Sequence, residues 1–344
     1  MNDDAGTIGN SILEDLTRTL LYEGYSLYPY HRASVKNRKP IPFGVLFPGD
    51  YHVANSHAQS QMQAECLVTG HGSFSVNISL RFLHLQIIVR HDEGTSIDHL
   101  IAAAHSRANC QSFQDGWRTI ERRISTGNIR IEELLTGLTK IPIAFDEYVE
   151  IENDPGNDDQ QQHAVMNAAI CGTVTVKATR IENTSDAFLI SVSVTNTTPV
   201  ENINVKTRDD VLLQSFLSTH MVLETVNAKF ISHQNPGEEW QSLIDQCKNK
   251  NTWPVLIDEK DTILLSSPII LYDHPKIHPQ SSGDLFDSTE IEEALLLHVG
   301  MLSEDEKKTI GESDEKLRAM LEKVSQVTPE EMVRFHSGLQ NVQP

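Results

Sequence analysis

The segment Tyr272-Asp-His-Pro-Lys-Ile-His278 holds the densest group of side chains that could do chemistry. Asp273, His274 and His278 supply one carboxylate and two imidazoles, which are ligand types that hold divalent metals. Histidines four residues apart share one face only on a helix, and Pro275 and Pro279 disfavour a helix here. The simpler interpretation is a polar loop after a buried strand. We therefore expect no bound metal and no other cofactor.

A second arrangement of reactive side chains involves His220, which follows Ser218-Thr219 at the start of a predicted strand. Paired with Cys247 or Asp245 it could form a nucleophile system, but no spacing links these residues, and a structural histidine is the favoured interpretation. The chain has no G-x-S-x-G elbow, no Walker A loop, no G-x-G-x-x-G after a strand and no H-E-x-x-H helix. The sequence thus contains no recognisable catalytic motif.

A tyrosine-rich and basic segment lies near the N-terminus. It contains Tyr22, Tyr25, Tyr28, Tyr30, Arg32, Lys36, Arg38 and Lys39. Residues 24–49 include no acid, although the chain as a whole is acidic. Tyrosine and arginine are enriched in protein interfaces, because they combine a large contact area with a polar group. We predict that this segment binds a protein partner; the alternative is that the tyrosines belong to the core and the basic residues are merely solvated.

Composition limits the classes of function. The 344 residues carry a formal net charge of −20, which opposes binding to nucleic acid or to an anionic membrane surface. The four cysteines show no C-x-x-C pair, and we interpret them as reduced thiols. No signal peptide and no apolar run of about 18 residues is found. We expect a cytoplasmic protein with no nucleic-acid or membrane partner.

The elements that must position these side chains are mostly strands. Residues 171–182 and 187–197 alternate apolar and polar residues, which predicts an antiparallel hairpin with one buried face. Further strands are predicted at 66–70, 74–90, 117–124, 129–135, 220–233 and in short apolar runs between 253 and 272. Capping-box patterns at 287–290 and 303–306 indicate helices near the C-terminus. The predicted fold is α+β, an antiparallel β-sandwich-like body with a helical C-terminal segment.

Four regions follow from this pattern. Residues 1–145 form a β-rich region with a short leading helix, and residues 146–163 form an acidic polar loop. Residues 164–235 contribute the hairpin that completes the β body. Residues 236–344 contain short strands and then an acidic helical region. The loop is rich in Asp, Asn and Gln and contains Pro155-Gly156, so it is predicted to be exposed and to mark an internal boundary.

Three stretches carry a resemblance to a known family. The first joins Leu20-Leu-Tyr-Glu-Gly-Tyr-Ser-Leu-Tyr-Pro-Tyr, Lys36-Asn37 and Phe43-Gly-Val-Leu-Phe-Pro; the second is Asn251-Thr-Trp-Pro-Val-Leu; the third runs from Leu265-Ser-Ser-Pro-Ile-Ile-Leu-Tyr-Asp-His-Pro to Gly283-Asp-Leu-Phe-Asp-Ser-Thr-Glu-Ile. Together they resemble an uncharacterised family encoded beside actinobacterial-type [NiFe]-hydrogenase structural and maturation genes. The resemblance implies a biological setting and assigns no role to any residue.

These observations favour a non-enzymatic accessory or assembly protein that binds a hydrogenase subunit or a maturation factor. One alternative is a metal-dependent hydrolase that uses Asp273, His274 and His278. Another is a structural subunit of a larger complex. Metal content distinguishes the hydrolase from the other two, and stoichiometric retention in a purified complex distinguishes the structural subunit from the accessory protein.

Overall fold

The computed structural model describes residues 13–14, 16–22, 43–90, 96–110, 116–153, 162–182, 184 and 186–275, with the side chains of 107–110 excepted. The strands in these ranges are β1 (Gln61–Thr69), β2 (Ser75–Arg90), β3 (Trp117–Arg130), β4 (Thr139–Phe145), β5 (Tyr148–Asn153), β6 (Gln162–Asn167), β7 (Ile170–Arg180), β8 (Ala187–Asn196), β9 (Leu217–Val226), β10 (Lys229–Phe230), β11 (Trp253–Leu256) and β12 (Ile263–Ser267). The helices are α1 (Gly49–Ala54), α2 (Ile97–Cys110), α3 (Ile131–Thr136) and α4 (Glu238–Ile244), with 3-10 turns at Ile203–Val205 and Asp209–Gln214. The described residues of the predicted leading helix, 13–14 and 16–21, are helical.

The strands form two sheets whose pairings are all antiparallel. The first sheet has the order β10-β1-β8-β7-β4. The second has the order β11-β12-β9-β2-β6-β5, with β3 paired along the other edge of β2. Each sheet combines strands from before and after residues 146–163. The β-rich α+β fold predicted from the sequence is confirmed, whereas residues 281–344, predicted to be helical, lie outside the described residues.

The main core lies between the two sheets. The hairpin β7–β8 confirms the predicted alternation: Val174 and Val176 of β7 and Ile190 and Val192 of β8 are buried against β2. Burying one such side chain fully contributes about 1.5–3 kcal/mol, so the shared face of the two sheets stabilises the sandwich.

β2 contributes side chains to two separate cores. Its even-numbered side chains up to Phe82 enter the core between the sheets, and the odd-numbered side chains from Leu83 to Val89 pack in a second core that includes α2 residues. Beyond Phe82 the even-numbered positions become polar at His84 and Gln86. The second sheet therefore presents a polar region on the face that elsewhere packs against the first sheet.

The leading helix packs on the other face of the second sheet. Leu16 and Leu20 contact a cluster that includes Val222 of β9 and Leu265 of β12. Glu14 pairs with Arg81 of β2 at 2.7 Å, and Arg81 is almost fully buried. Among the described residues, no helix combines the length and the apolar composition needed to cross a bilayer.

Three local predictions were wrong. Residues 129–135 do not form a separate strand, because β3 continues to Arg130 and α3 begins at Ile131. The predicted polar loop is shorter than 146–163: residues 148–153 form β5, whose backbone pairs with β6, and residues 162–163 already belong to β6. Residues 268–272 contain no strand. Backbone pairing with a neighbouring strand outweighs local composition in β5, where acidic residues alternate with Val149 and Ile151.

Candidate functional site

A groove of about 910 Å³ opens where the turns of several strands meet at one end of the sandwich. β1 ends here, β8 begins here, and the β9–β10 and β11–β12 turns and α4 complete the walls. The lining residues are Thr69, Gly70, His71, Thr184, Asp186, Ala187, Asn227, Ala228, Lys229, Trp240, Lys260 and Thr262. We call this the end groove.

The β11–β12 turn that carries Lys260 is held by one carboxylate. Asp258 Oδ1 accepts hydrogen bonds from the backbone N–H groups of Thr262 and Ile263, each at 2.8 Å, and Oδ2 accepts one from the Thr262 hydroxyl. This Asx-type arrangement holds the turn between β11 and β12. Lys260 is exposed at its tip, and no acidic partner for it is found in the described part of the chain.

Lys229 comes from β10 and is only weakly neutralised. Its Nζ lies 3.9 Å from Asp261 Oδ2, and Asp261 Oδ1 lies equally far from the ring of His274. Lys229 is well exposed, so solvent screens this pair strongly. Lys229 and Lys260 therefore give the groove two cationic side chains on an acidic protein.

The lining also includes His71 and Asp186, whose Nδ1 and Oδ2 atoms lie 3.0 Å apart. His71 is 91% exposed, so this imidazole is accessible to a ligand. Below it, Gly70 allows β1 to approach the β9–β10 turn: a Cβ on Gly70 would lie 2.8 Å from the Phe74 ring and 2.9 Å from the Ala228 Cβ. Only glycine fits this contact without displacement of a neighbour.

Trp240 adds a partly buried aromatic ring. It lies on α4, which begins after Gly237, where the backbone has a φ of 79° that favours glycine. An indole beside two lysines can contact an apolar or planar group while the ammonium groups bind an anion. The end groove is thus suited to an acidic ligand or peptide that also carries apolar area.

The described residues of the predicted loop at 272–278 are held by hydrogen bonds to neighbouring segments of the fold. Asp273 Oδ1 accepts the backbone N–H of Leu256 at 2.8 Å, and Oδ2 accepts the Ser232 hydroxyl. The backbone N–H of His274 donates to the carbonyl of Leu256 at 2.7 Å. Among the described residues, no group of three or more His, Cys, Asp or Glu side chains could hold a metal. His278 lies outside the described residues, and Asp273 is engaged in hydrogen bonds. Of the three predicted metal ligands, this leaves only the half-exposed His274, which lies next to Asp261.

His220 lies in the second sheet, whereas Cys247 lies beside β1 of the first. His220 is fully buried in β9, opposite Arg81 of β2, and its ring N–H donates to the Ser218 carbonyl at 2.8 Å. Burial, with a smaller contribution from Arg81, lowers the pKa of His220 to about 4, although the hydrogen bond to the Ser218 carbonyl partly offsets this. Burial, followed by the Glu65 carboxylate of β1, raises the pKa of the Cys247 thiol to about 11. Asp245 accepts a hydrogen bond from Gln241 within the α4 region, so the described residues contain no nucleophile pair of this kind.

The tyrosine-rich and basic segment is described only at Tyr22. Tyr22 is 4% exposed and packs in the core between the second sheet and α2. Its other members, Tyr25, Tyr28, Tyr30, Arg32, Lys36, Arg38 and Lys39, lie outside the described residues. The partner surface there stays a prediction for those seven residues, and Tyr22 contributes to the core.

The stretches that carried the family resemblance meet in space. A Cβ on Gly44, where φ is 56°, would lie 2.5 Å from the Pro268 ring. Thr252 bonds to the Ser266 hydroxyl and to the Ser267 carbonyl. The packing of Gly44 on Pro268, the hydrogen bonds of Thr252 and the contact of Asp273 with Leu256 join the segments 43–48, 251–256 and 265–275. In the described region, the stretches that carry the resemblance therefore contact one another within the fold.

A scan against protein-family models finds no matching family. A search of curated proteins finds no similar sequence.

Sequence reasoning missed the end groove. Its side chains come from five separate segments between residues 69 and 262, and each is unremarkable in isolation. The one local signal was Asp258-Glu-Lys-Asp261, an acidic turn that presents a lysine. Nothing in the sequence indicates that His71 or Trp240 lies beside that lysine, because the sheet order brings them together.

Proposed function

We propose that this chain is a non-enzymatic, cytoplasmic accessory protein that binds a partner protein, and that the end groove receives an acidic segment of that partner. The observation that carries this proposal is that Lys229, Lys260 and Trp240 line one open groove on a chain with a net charge of −20. The acidic remainder of the surface repels other acidic proteins, so two lysines in one open groove supply orientation as well as affinity.

The resemblance described above suggests the biological setting. A hydrogenase subunit or a maturation factor is the proposed partner. The tyrosine-rich and basic residues from Tyr25 to Lys39, which lie outside the described residues, are proposed to contact the partner as well, whereas Tyr22 belongs to the core. A structural subunit of a larger complex remains the second candidate, and it differs by staying bound in stoichiometric amounts after purification.

The alternative of a metal-dependent hydrolase has less geometric support. Both carboxylate oxygens of Asp273 already accept hydrogen bonds from protein donors, and His274 is held through its backbone to Leu256. A hydrolytic metal site needs deprotonated ligands with free lone pairs and an open coordination position. This observation favours the binding function.

Charge reversal tests the proposal directly. The double variant Lys229→Glu/Lys260→Glu should weaken binding of a blocked hexaglutamate peptide at least tenfold, with a larger effect at low salt because screening is weaker there. The matched control is Lys140→Glu/Lys177→Glu, which makes the same charge change at exposed positions on β4 and β7. Titration calorimetry at two salt concentrations measures the affinities, and thermal unfolding checks the fold.

The same two variants should be compared as baits for purified hydrogenase subunits and maturation factors. The groove variant should lose the complex while the control keeps it. Equal capture by both variants, with both folded, would exclude the end groove as the docking site. Trp240→Ala should weaken the protein complex more than the hexaglutamate complex, because only the protein partner offers apolar area to the indole.

A further inference from the structure

β3 carries four arginines, and three of them pair with a carboxylate. Arg118 binds both oxygens of Glu152, Arg123 binds Glu14 at 2.8 Å, and Arg130 binds Glu133 at 3.0 Å. Arg122 is the exception: no acidic partner for it is found in the described ranges. Its guanidinium is half-buried, and burial lowers its pKa. A charge that is partly removed from water without a counterion is costly to keep, which is the reason to ask what it binds.

The guanidinium of Arg122 is held in place by two neutral groups. Its Cζ lies 4.5 Å from the centroid of the Phe145 ring, and its Nε donates to Nδ1 of His84 at 3.4 Å. Phe145 belongs to β4 of the first sheet and Arg122 to β3 of the second, so the side chain spans the lateral edge of the sandwich. These contacts occupy one face and the Nε edge. The terminal N–H groups have no hydrogen-bond partner in the part of the chain that the structure describes.

His84 cannot supply the missing negative charge. It is fully buried, and its pKa is lowered to about 3, first by burial and then by Arg122 itself, with backbone groups of Ala168 and Leu213 partly offsetting this. The ring is therefore neutral, and Nδ1 serves as an acceptor for Arg122. The imidazole orients the guanidinium and leaves its positive charge uncompensated.

The carboxylate that pairs with Arg118, on the same face of β3 as Arg122, is also unsuitable. Arg118 and Arg122 share a face because they are four residues apart, and this spacing separates them by roughly 13 Å along a strand. Glu152 is engaged by Arg118 on both oxygens and receives a further contact from His163. It cannot reach Arg122 while those contacts hold.

We propose that Arg122 is the anchor of a carboxylate-binding site on the lateral edge of the sandwich, separate from the end groove. The terminal N–H groups of a guanidinium match the two oxygens of a carboxylate, and the pair becomes stronger where the cation is already partly desolvated. One arginine beside a neutral histidine balances a monoanion. A phosphate dianion would need a second cation. Ile120, which lies between Arg118 and Arg122 on the same strand face, is 38% exposed and offers apolar contact next to the charge.

The carboxylate can come from a small organic acid or from an Asp or Glu side chain of a protein. Both present the same group to Arg122. They differ in what lies beside it, because a side chain brings flanking amide and methylene groups that can contact Ile120. Comparison of acetate with N-acetylglutamate amide distinguishes the two sources.

The test uses the full chain labelled with ¹⁵N-arginine, which reports each Nε–Hε group by NMR. The Arg122 signal is assigned by its disappearance in Arg122→Lys, and Arg130→Lys is the matched control on the same strand. Sodium acetate, N-acetylglutamate amide and inorganic phosphate are titrated separately at constant ionic strength, with sodium chloride as the reference. The expected result is a saturable shift of the Arg122 signal with either carboxylate, while Arg130 shifts no more than it does with chloride.

Tenfold tighter binding of N-acetylglutamate amide than of acetate assigns the site to a protein side chain, and equal or weaker binding assigns it to a small acid. The proposal is overturned if the Arg122 shift is linear and matches chloride, or if phosphate binds more tightly than both carboxylates. Because these measurements are made on the unmodified sequence, they decide the matter even if Arg122→Lys is unstable; the signal is then assigned from Arg122→Gln.

Discussion

The carboxylate of Asp273 accepts the backbone N–H of Leu256 at 2.8 Å, which fastens the chain beyond β12 to the edge strand β11. Its second oxygen accepts the hydroxyl of Ser232, which follows β10, so one side chain ties together three segments that are distant in sequence. The charged acceptor satisfies an edge-strand donor that has no sheet partner at this position. The side chain that the sequence offered as a metal ligand therefore stabilises the β11 edge.

Replacement of Asp273 by Ala should destabilise the protein. Loss of a charged acceptor leaves the Leu256 N–H and the Ser232 hydroxyl without their partner, which costs about 1–3 kcal/mol. Urea unfolding followed by circular dichroism measures the change in free energy of unfolding. The control is Glu259→Ala, an exposed position in the neighbouring turn, which should change stability by less than about 0.5 kcal/mol. An Asp273→Ala protein as stable as the control would contradict this role.

The purified protein should contain no stoichiometric transition metal. The described metal-ligand candidates are a fully hydrogen-bonded Asp273 and a half-exposed His274, which do not form a closed coordination set. Elemental analysis after purification without chelators provides the measurement. About one nickel or zinc per chain, lost in His274→Ala, would revive the hydrolase alternative.

Gly70→Ala should lower the stability of the protein where β1 lines the end groove. The added Cβ would lie within 3 Å of the Phe74 ring and of the Ala228 Cβ, and overpacking of this kind costs about 1–3 kcal/mol. Gly137→Ala is the control, since a Cβ added there would meet no atom within 4 Å and the backbone at Gly137 is fully extended. The unfolding midpoints of the two variants are compared. Equal midpoints would show that the β1–β10 region accommodates the added methyl group without loss of stability.

Stability should fall as the pH is lowered from about 6.5 to 5. His84 and His220 have pKa values lowered by burial to about 3 and about 4, whereas an unfolded histidine titrates near 6.5. Below pH 6.5 the unfolded chain binds protons that the folded chain excludes, so the free energy of unfolding decreases by up to about 1.4 kcal/mol per pH unit for each histidine. Urea titrations at pH 7, 6 and 5 test this. The slope should be smaller in His220→Gln, and a flat profile in the unmodified protein would rule out the effect.

Cys247 should react slowly with iodoacetamide at pH 8. With its pKa raised to about 11, roughly one thiol in a thousand is ionised at that pH, and the thiolate is the reactive form. Peptide mass spectrometry should find labelling of Cys247 at least tenfold slower in the folded protein than in urea. Equal rates in the two states would contradict the raised pKa, and faster labelling in the folded protein would show that the thiol is activated, as a nucleophile system requires.

The class of fold and much of the local structure follow from patterns within the amino-acid sequence. The alternation in β7 and β8 has period two, which places Val174, Val176, Ile190 and Val192 on one buried face irrespective of the rest of the chain. The apolar composition of residues 74–90 likewise indicated the strand that the structure shows as β2. These patterns are local, because each follows from the chemistry of neighbouring residues.

Which side chains meet depends on how the strands are ordered in the folded protein. The order of strands in the two sheets brings Lys229, Trp240 and Lys260 to the same groove as His71, and it places Arg122 over Phe145 while His84 accepts from its Nε. The acidic segment 148–153 likewise forms β5 because its backbone pairs with β6, and the composition of the segment does not reveal this partner. Contacts between residues far apart in sequence depend on sheet order and register, and the side-chain pattern of any one segment does not specify these.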